Sequence, residues 1–304
     1  MTLRRCTIRA LVLACLPAAP VGAAEIAVLK SLDSPAWRPA VEAARRVASS
    51  HTLTEYDLRG ERAEAERVIG GLKGNVAAVL ALGPLAVAAV HELAPEMPLV
   101  ACMVPDLKKL GVEPGPGVTG VVFAVPVRNQ LAAFRMVNPR ATRVGVIYSG
   151  EIAALVEEAR RAASVVRLAL VEKPVASGRE VPQALREMLS GPDAVDALWL
   201  PPDPVLVADE ARRFLLTETL KAGKAIYTFS PAIVAEGALV SQGPDPVSTG
   251  EQAGDLLNRL TGAEKGARID LQYPRAELVI NKKIADKLRI SISAEAQKAA
   301  SRVY

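Results

Sequence analysis

The side chains able to do chemistry in this sequence stand singly at the ends of apolar runs. Ser31 closes "EIAVLKS" and Trp37 ends "LDSPAW". Gly83-Pro84 follows "NVAAVLAL", and Met103 lies in "PLVACMV". Further on, Tyr148 ends "RVGVIY", Asp203 follows "VDALWLPP", Ser230 follows "AIYTF" and Asp245 sits in "QGPDP". Such groups can stack on a flat ligand, present a hydroxyl or hold a ligand cation. Each also has a purely structural reading. Trp37 can pack under its own loop, Tyr148 can be a strand residue, Asp203 and Ser230 can cap helices, and Asp245 is either hinge or wall. Catalysis has little footing. His51 and His91 have no Cys or His neighbours and no metal-ligand spacing exists. There is no Gly-x-Ser-x-Gly elbow, and "GGLKGN" lacks the Walker spacing and follows no strand. The residues read as a binding protein, not an enzyme, and call for no cofactor.

The elements that must position these residues alternate regularly. Short β-rich runs ("EIAVLKS", "LTEYDL", "NVAAVLALG", "PLVACMV") are separated by segments with apolar residues at helical spacing. After "VTGVVFAVP" the rhythm restarts with "RVGVIYS", "RLALVEKPV", "VDALWLP" and "AIYTFS". Apolar strands alternating with helices predict parallel sheets covered on both faces. Two successive α/β units follow, with the switch near Val121–Pro126. Ser177 to Glu180 has capping-box spacing, while Asp203-Pro204 and Ser230-Pro231 read as helix starts. "RIDLQ" and "ELVIN" read as strands, with Asn281 capping a closing helix. In open parallel sheets, ligands bind beyond the carboxyl ends of the strands, which is where the candidate residues lie.

The N-terminus differs from the rest. "MTLRRCTIRA" carries three arginines and no acid, and "LVLACLPAAPVGAA" is apolar with small residues at its end. Residues 1–24 therefore read as a signal peptide cleaved near Ala24, implying an exported, periplasmic protein. Val12 to Cys15 resembles a lipoprotein site, but Arg9 leaves too short an apolar stretch before Cys15. Removing the segment leaves 34 basic residues against 33 acidic, a charge of +1. With no basic patch left, nucleic acid is not expected as a partner. No later run reaches the roughly 18 apolar residues of a membrane span, so no stable membrane insertion is expected once the signal is gone. Cys102 then stands alone, a buried strand residue without a disulfide.

"LWLPPDPVLVADEA" and the long run from "SPAIVAEGALVSQGPDPVSTGEQAGDLLNRL" to "LVINKKIADKLRI" resemble the ABC-transporter substrate-binding protein family that includes aromatic-amino-acid binders. The resemblance implies a type I periplasmic binding protein: α/β, two Rossmann-like lobes with parallel sheets joined by a three-strand hinge. It assigns 25–123 plus 244–268 to lobe 1 and 124–243 plus 269–304 to lobe 2, with crossings near Val121–Pro126, Gly243–Asp245 and Arg268–Leu271. It implies a monomer that captures a small-molecule ligand between the lobes for an ABC permease in the membrane. Ser31, Trp37, Gly83, Pro84 and Met103 would line one wall and Tyr148, Asp203 and Ser230 the other, with Asp245 at hinge or wall. Asp203 matches the family's aspartate. A soluble accessory protein signalling to a separate receptor is the alternative. Three departures bear on specificity. Pro84-Leu85-Ala86 stands where many relatives offer a hydroxyl, Met103-Val104 where they often read Thr-Asp, and Ser149-Gly150-Glu151 lacks their asparagine. The expected ligand is a less polar or differently charged molecule than an aromatic amino acid.

Overall fold

A computed structural model describes residues 23–191 and 194–304. The signal-peptide reading of residues 1–24 lies outside them except for its last two residues. The first unit runs β1 (Glu25–Lys30), α1 (Arg38–Val47), β2 (Thr52–Asp57), α2 (Arg62–Leu72), β3 (Ala78–Leu82), α3 (Pro84–Leu93), β4 (Leu99–Val104) and β5 (Val118–Val122). The second runs α4 (Val127–Val137), β6 (Arg143–Tyr148), α5 (Ala153–Val165), β7 (Ala169–Pro174), α6 (Val181–Leu189), β8 (Ala197–Leu200), α7 (Pro204–Val207), α8 (Asp209–Lys221), β9 (Ala225–Thr228), α9 (Pro231–Glu236) and β10 (Val240–Pro244). The chain ends with α10 (Pro246–Thr261), β11 (Ala276–Ile280), α11 (Lys282–Lys287), α12 (Ala294–Ala299) and β12 (Arg302–Val303).

The first sheet is ordered β2-β1-β3-β4-β5 and is parallel throughout. Its strands are apolar on both faces because helices cover both. Ala27, Leu29, Val79 and Ala81 pack with residues of α2 and α3, and Ile26, Val28, Leu80 and Leu82 with residues of α1 and α10. α10 follows β10 of the second unit in sequence, yet Ala253, Leu256, Leu257 and Leu260 belong to the first core. Gly250 makes this approach possible. A Cβ there would stand 2.0 Å from the Ala40 carbonyl oxygen of α1.

The second sheet is ordered β12-β11-β10-β9-β8-β6-β7. Its central strands are parallel, but β11 runs antiparallel to β10, a departure from the expected all-parallel pattern. After α10 the chain re-enters beside the end of β10, with Ala276 opposite Pro244, so β11 must run back along β10. Asn281 caps α11 as the sequence suggests. Its Oδ1 accepts from Ile284 N (3.1 Å) and its Nδ2 donates to the Val234 carbonyl (3.0 Å).

Other expectations change. "RIDLQ" forms no strand; instead Val122 N donates to Gln272 O and Gln272 N to Gly120 O, both at 2.9 Å, so residues near 272 run along β5. Ile269 is buried in the first core. Residues 269–272 thus pack with the first unit rather than the second, and the third crossing moves to residues 273–275. The long helix expected after Asp203 breaks at Ala208, whose backbone is extended (φ −55°, ψ 140°). The capping box expected at Ser177 does not form: the Ser177 hydroxyl makes no cap bond, and Glu180 accepts from Ala176 N (3.0 Å), one residue before the cap. α12 and β12 have no counterpart in the sequence reading. Among the described residues no helix is long and apolar enough to cross a membrane.

Candidate ligand-binding site

In the first sheet, β1 and β3 are neighbours but lead to helices on opposite faces: α1 packs on one and α3 on the other. The carboxyl ends of two such strands form a crevice, the place where open α/β sheets bind ligands. Ser31, Trp37, Gly83 and Pro84 converge there. Ser31 N and Oγ both donate to Leu82 O (2.9 Å each), and Oγ accepts from Ala86 N (2.9 Å). Gly83, at the N-cap of α3, has no side chain to offer, so Ser31 caps that helix from the adjacent strand. Its hydroxyl is thereby committed to the fold in both directions. Gly83 itself has φ +86°, and a Cβ there would meet Trp37 Cη2 at 2.6 Å. The indole therefore lies against bare backbone, half-buried, with Pro84 exposed beside it.

Trp37 also borders a cavity of about 220 Å³ lined by Lys30, Asp33, Arg38, Val41, Glu42 and Glu55, with Ser34 at its edge. Lys30 Nζ lies 2.6 Å from Asp33 Oδ1 and 3.3 Å from Glu55 Oε2. Partial burial works against the Lys30 charge, but the bonds to Asp33 and Glu55 outweigh it and its pKa sits above the ordinary value. The same bond holds the Asp33 carboxyl below the usual range.

Met103 is a correction. It takes φ +57° at an irregularity where the β4–β5 register shifts between Ala101 and Val104. This breaks the alternation of β4, so Cys102 and Met103 both enter the core beside α1 and α10, while Val104 returns to the other face. Met103 is 5 % exposed and is core, not wall. Cys102 is buried as expected, and burial pushes its thiol up to about 12. It is no nucleophile at neutral pH.

The second sheet repeats the arrangement. β6 and β8 are neighbours, with α5 on one face and α7 and α8 on the other. Asp203, fully buried, joins the two strand ends. Its Oδ2 accepts from Ser149 N (2.6 Å), and its Oδ1 from Val205 N (2.9 Å) and Leu206 N (3.4 Å). The carboxylate thus caps α7 and clamps the loop after β6, with no oxygen facing a ligand. Tyr148 is half-buried against the core shared by α4 and α5. Ser230, half-buried, precedes α9 without a side-chain cap bond. Asp245 caps α10 through Val247 N (2.9 Å), and its own N–H donates to Arg275 O (2.9 Å). It joins two of the chain crossings, which favours hinge over wall.

Ser149 enters the sequence reading only as part of the Ser149-Gly150-Glu151 loop that lacks the family's asparagine. It is 5 % exposed, and its hydroxyl has no hydrogen-bond partner among the described residues. Its position after β6 matches that of Ser31 after β1, the one signal that could have found it. A larger depression, about 370 Å³, lies among Lys282, Asp286, Arg289 and Gln297. Because β11 is antiparallel, it opens at the end of the sheet opposite the switch points, and the strand-end rule gives the site to the latter. Among the described residues no group of three or more His, Cys, Asp or Glu could hold a metal.

The fold matches type I periplasmic binding proteins. An ABC domain in complex with L-Trp from Streptococcus pneumoniae is 22 % identical, with a TM-score of 0.69 over 93 % of this chain and all of that one. A ligand-free, open substrate-binding protein with adhesive properties from Clostridium difficile is 16 % identical, with a TM-score of 0.82 over 92 % of this chain and 99 % of that one. A periplasmic ribose ABC transporter structure from Conexibacter woesei is 13 % identical, with a TM-score of 0.60 over 94 % and 100 %. Comparison with curated protein sequences returns no match. The sequence profile described as "ABC transporter substrate binding protein" matches residues 63–304. On that match the chain belongs to the ABC transporter substrate-binding protein family.

Proposed function

We propose that this protein is the extracytoplasmic solute-binding component of an ABC-type importer, holding a small molecule between its two units and closing over it by a hinge. The observation that carries this reading is the repeated switch point. Both sheets contain the same strand sequence about their first strand, β2-β1-β3-β4-β5 and β7-β6-β8-β9-β10, and both gather candidate residues at that place. Only three segments join the units, at 123–126, 244–245 and 273–275, which suits a hinge of modest cost. Trp37 and the Ser149 loop would approach each other on closure.

The protein would work in the periplasm after removal of its leader. Ala24 bears on the cleavage site, because its carbonyl accepts from Thr52 N (3.0 Å) and its N–H donates to His51 Nδ1 (3.3 Å). Cleavage after Ala23 keeps both bonds. Native mass spectrometry of protein taken from the periplasmic fraction of its host tests the proposal. The chain should begin within two residues of Glu25, carry no lipid and retain one small molecule that is lost on unfolding. A diacylglyceryl mass on Cys15 contradicts the diffusible form. A chain that neither retains nor takes up any small molecule contradicts solute binding.

A further inference from the structure

We infer that the site selects an uncharged molecule with a flat or apolar face, laid on Trp37 and hydrogen-bonded by Ser149. This rests on the solute-binding reading and specifies its ligand. An α-amino acid carries a carboxylate and an ammonium, and burying either without a partner is costly. The usual partner for a carboxylate here is the N-terminus of a helix behind a strand. At α3 those donors are spent. Gly83 N donates to Cys102 O, Pro84 has no N–H, and Ala86 N donates to Ser31 Oγ, leaving at most the single N–H of Leu85. At α7, Val205 N and Leu206 N both donate to Asp203.

For an ammonium, Asp203 is fully buried and satisfied by three N–H groups, so it has no free oxygen for a ligand cation. At the rim, Asp33 is bound to Lys30, and Asp106 accepts from Lys108 N (3.0 Å). The other acids beside Trp37 and Ser149 are paired or solvated: Glu55 is bound to Lys30 and Arg45, and Glu42 and Glu151 stand exposed to solvent. What remains is the indole of Trp37 against Gly83 and a buried hydroxyl on Ser149 without a partner among the described residues. A hydroxyl both donates and accepts, which suits a neutral amide, carbonyl or ring N–H.

Calorimetry on protein stripped by unfolding and refolding, with three matched pairs, tests this: indole against L-tryptophan, nicotinamide against nicotinate, thymine against orotate. At least one neutral member should bind, and at least tenfold more tightly than its charged partner. Ser149→Ala separates a ligand contact from a structural role. Its hydroxyl has no partner to lose among the described residues, so the variant should melt no lower than the parent while binding the neutral compound about tenfold more weakly. Tighter binding of a charged member, or unchanged affinity in Ser149→Ala, overturns the inference. Binding of charged members alone overturns the ligand class but leaves solute binding intact. Failure of all six, with no molecule retained from the host, overturns both.

Discussion

Replacing Asp203 with alanine is expected to lower stability by about 3 kcal/mol, from two causes. One is loss of a helix cap, typically ~1 kcal/mol. The other is loss of a charge-assisted bond that leaves the buried Ser149 N–H unpaired, about 1.5–3 kcal/mol. For a chain of this size each kcal/mol moves the melting temperature by roughly 2–4 °C, so a fall of about 6–12 °C should appear in thermal unfolding. Asparagine should fall between aspartate and alanine. Its oxygen can still accept from Val205 N, but its amide would then present hydrogens toward Ser149 N–H, which is itself a donor. If alanine leaves the melting temperature within a degree of the parent, Asp203 is not the clamp described here.

The second large effect is expected at Gly250. A valine there would place its Cβ 2.0 Å from the Ala40 carbonyl oxygen and 2.7 Å from the carbonyl carbon. Both obstacles are backbone, so α10 must move away from α1 as a whole. Overpacking typically costs about 1–3 kcal/mol and occasionally more; with two backbones in contact we expect at least ~3 kcal/mol, read from the urea midpoint at unchanged slope. Gly70→Ala is the control. Gly70 lies inside α2 with nothing within 4 Å of the added Cβ, so alanine should be neutral or stabilise by up to about 1 kcal/mol. Equal effects at the two positions would remove the argument that α10 is part of the first unit's core.

The alternation of strands and helices was legible because buried parallel strands read as continuous apolar runs, and because local caps mark where helices begin. Asn281, Asp203-Pro204 and Ser230-Pro231 needed only their near neighbours. The misreadings share a different cause, since each depends on a partner far along the chain. Ser31 reads as a free hydroxyl until α3 arrives 55 residues later to donate to it. Met103 reads as a wall residue because it stands at the end of an apolar run, and only the β4–β5 register shift turns it into the core. Residues 269–272 resemble a strand of the second unit, yet their hydrogen bonds go to β5, some 150 residues earlier. Ser149 shows in the sequence only by its place after a strand, in a loop that lacks the family's asparagine. Its unpartnered hydroxyl is a property of the packed structure alone.

Small-angle scattering of the ligand-loaded and stripped protein tests hinged capture most directly. A ligand that binds the closed form better than the open one must shift the population toward closure. The account therefore predicts a smaller radius of gyration for protein carrying its small molecule, reverting when that molecule is removed and returning when it is added back. Superimposable scattering curves from the two forms, with occupancy confirmed by mass, would contradict it.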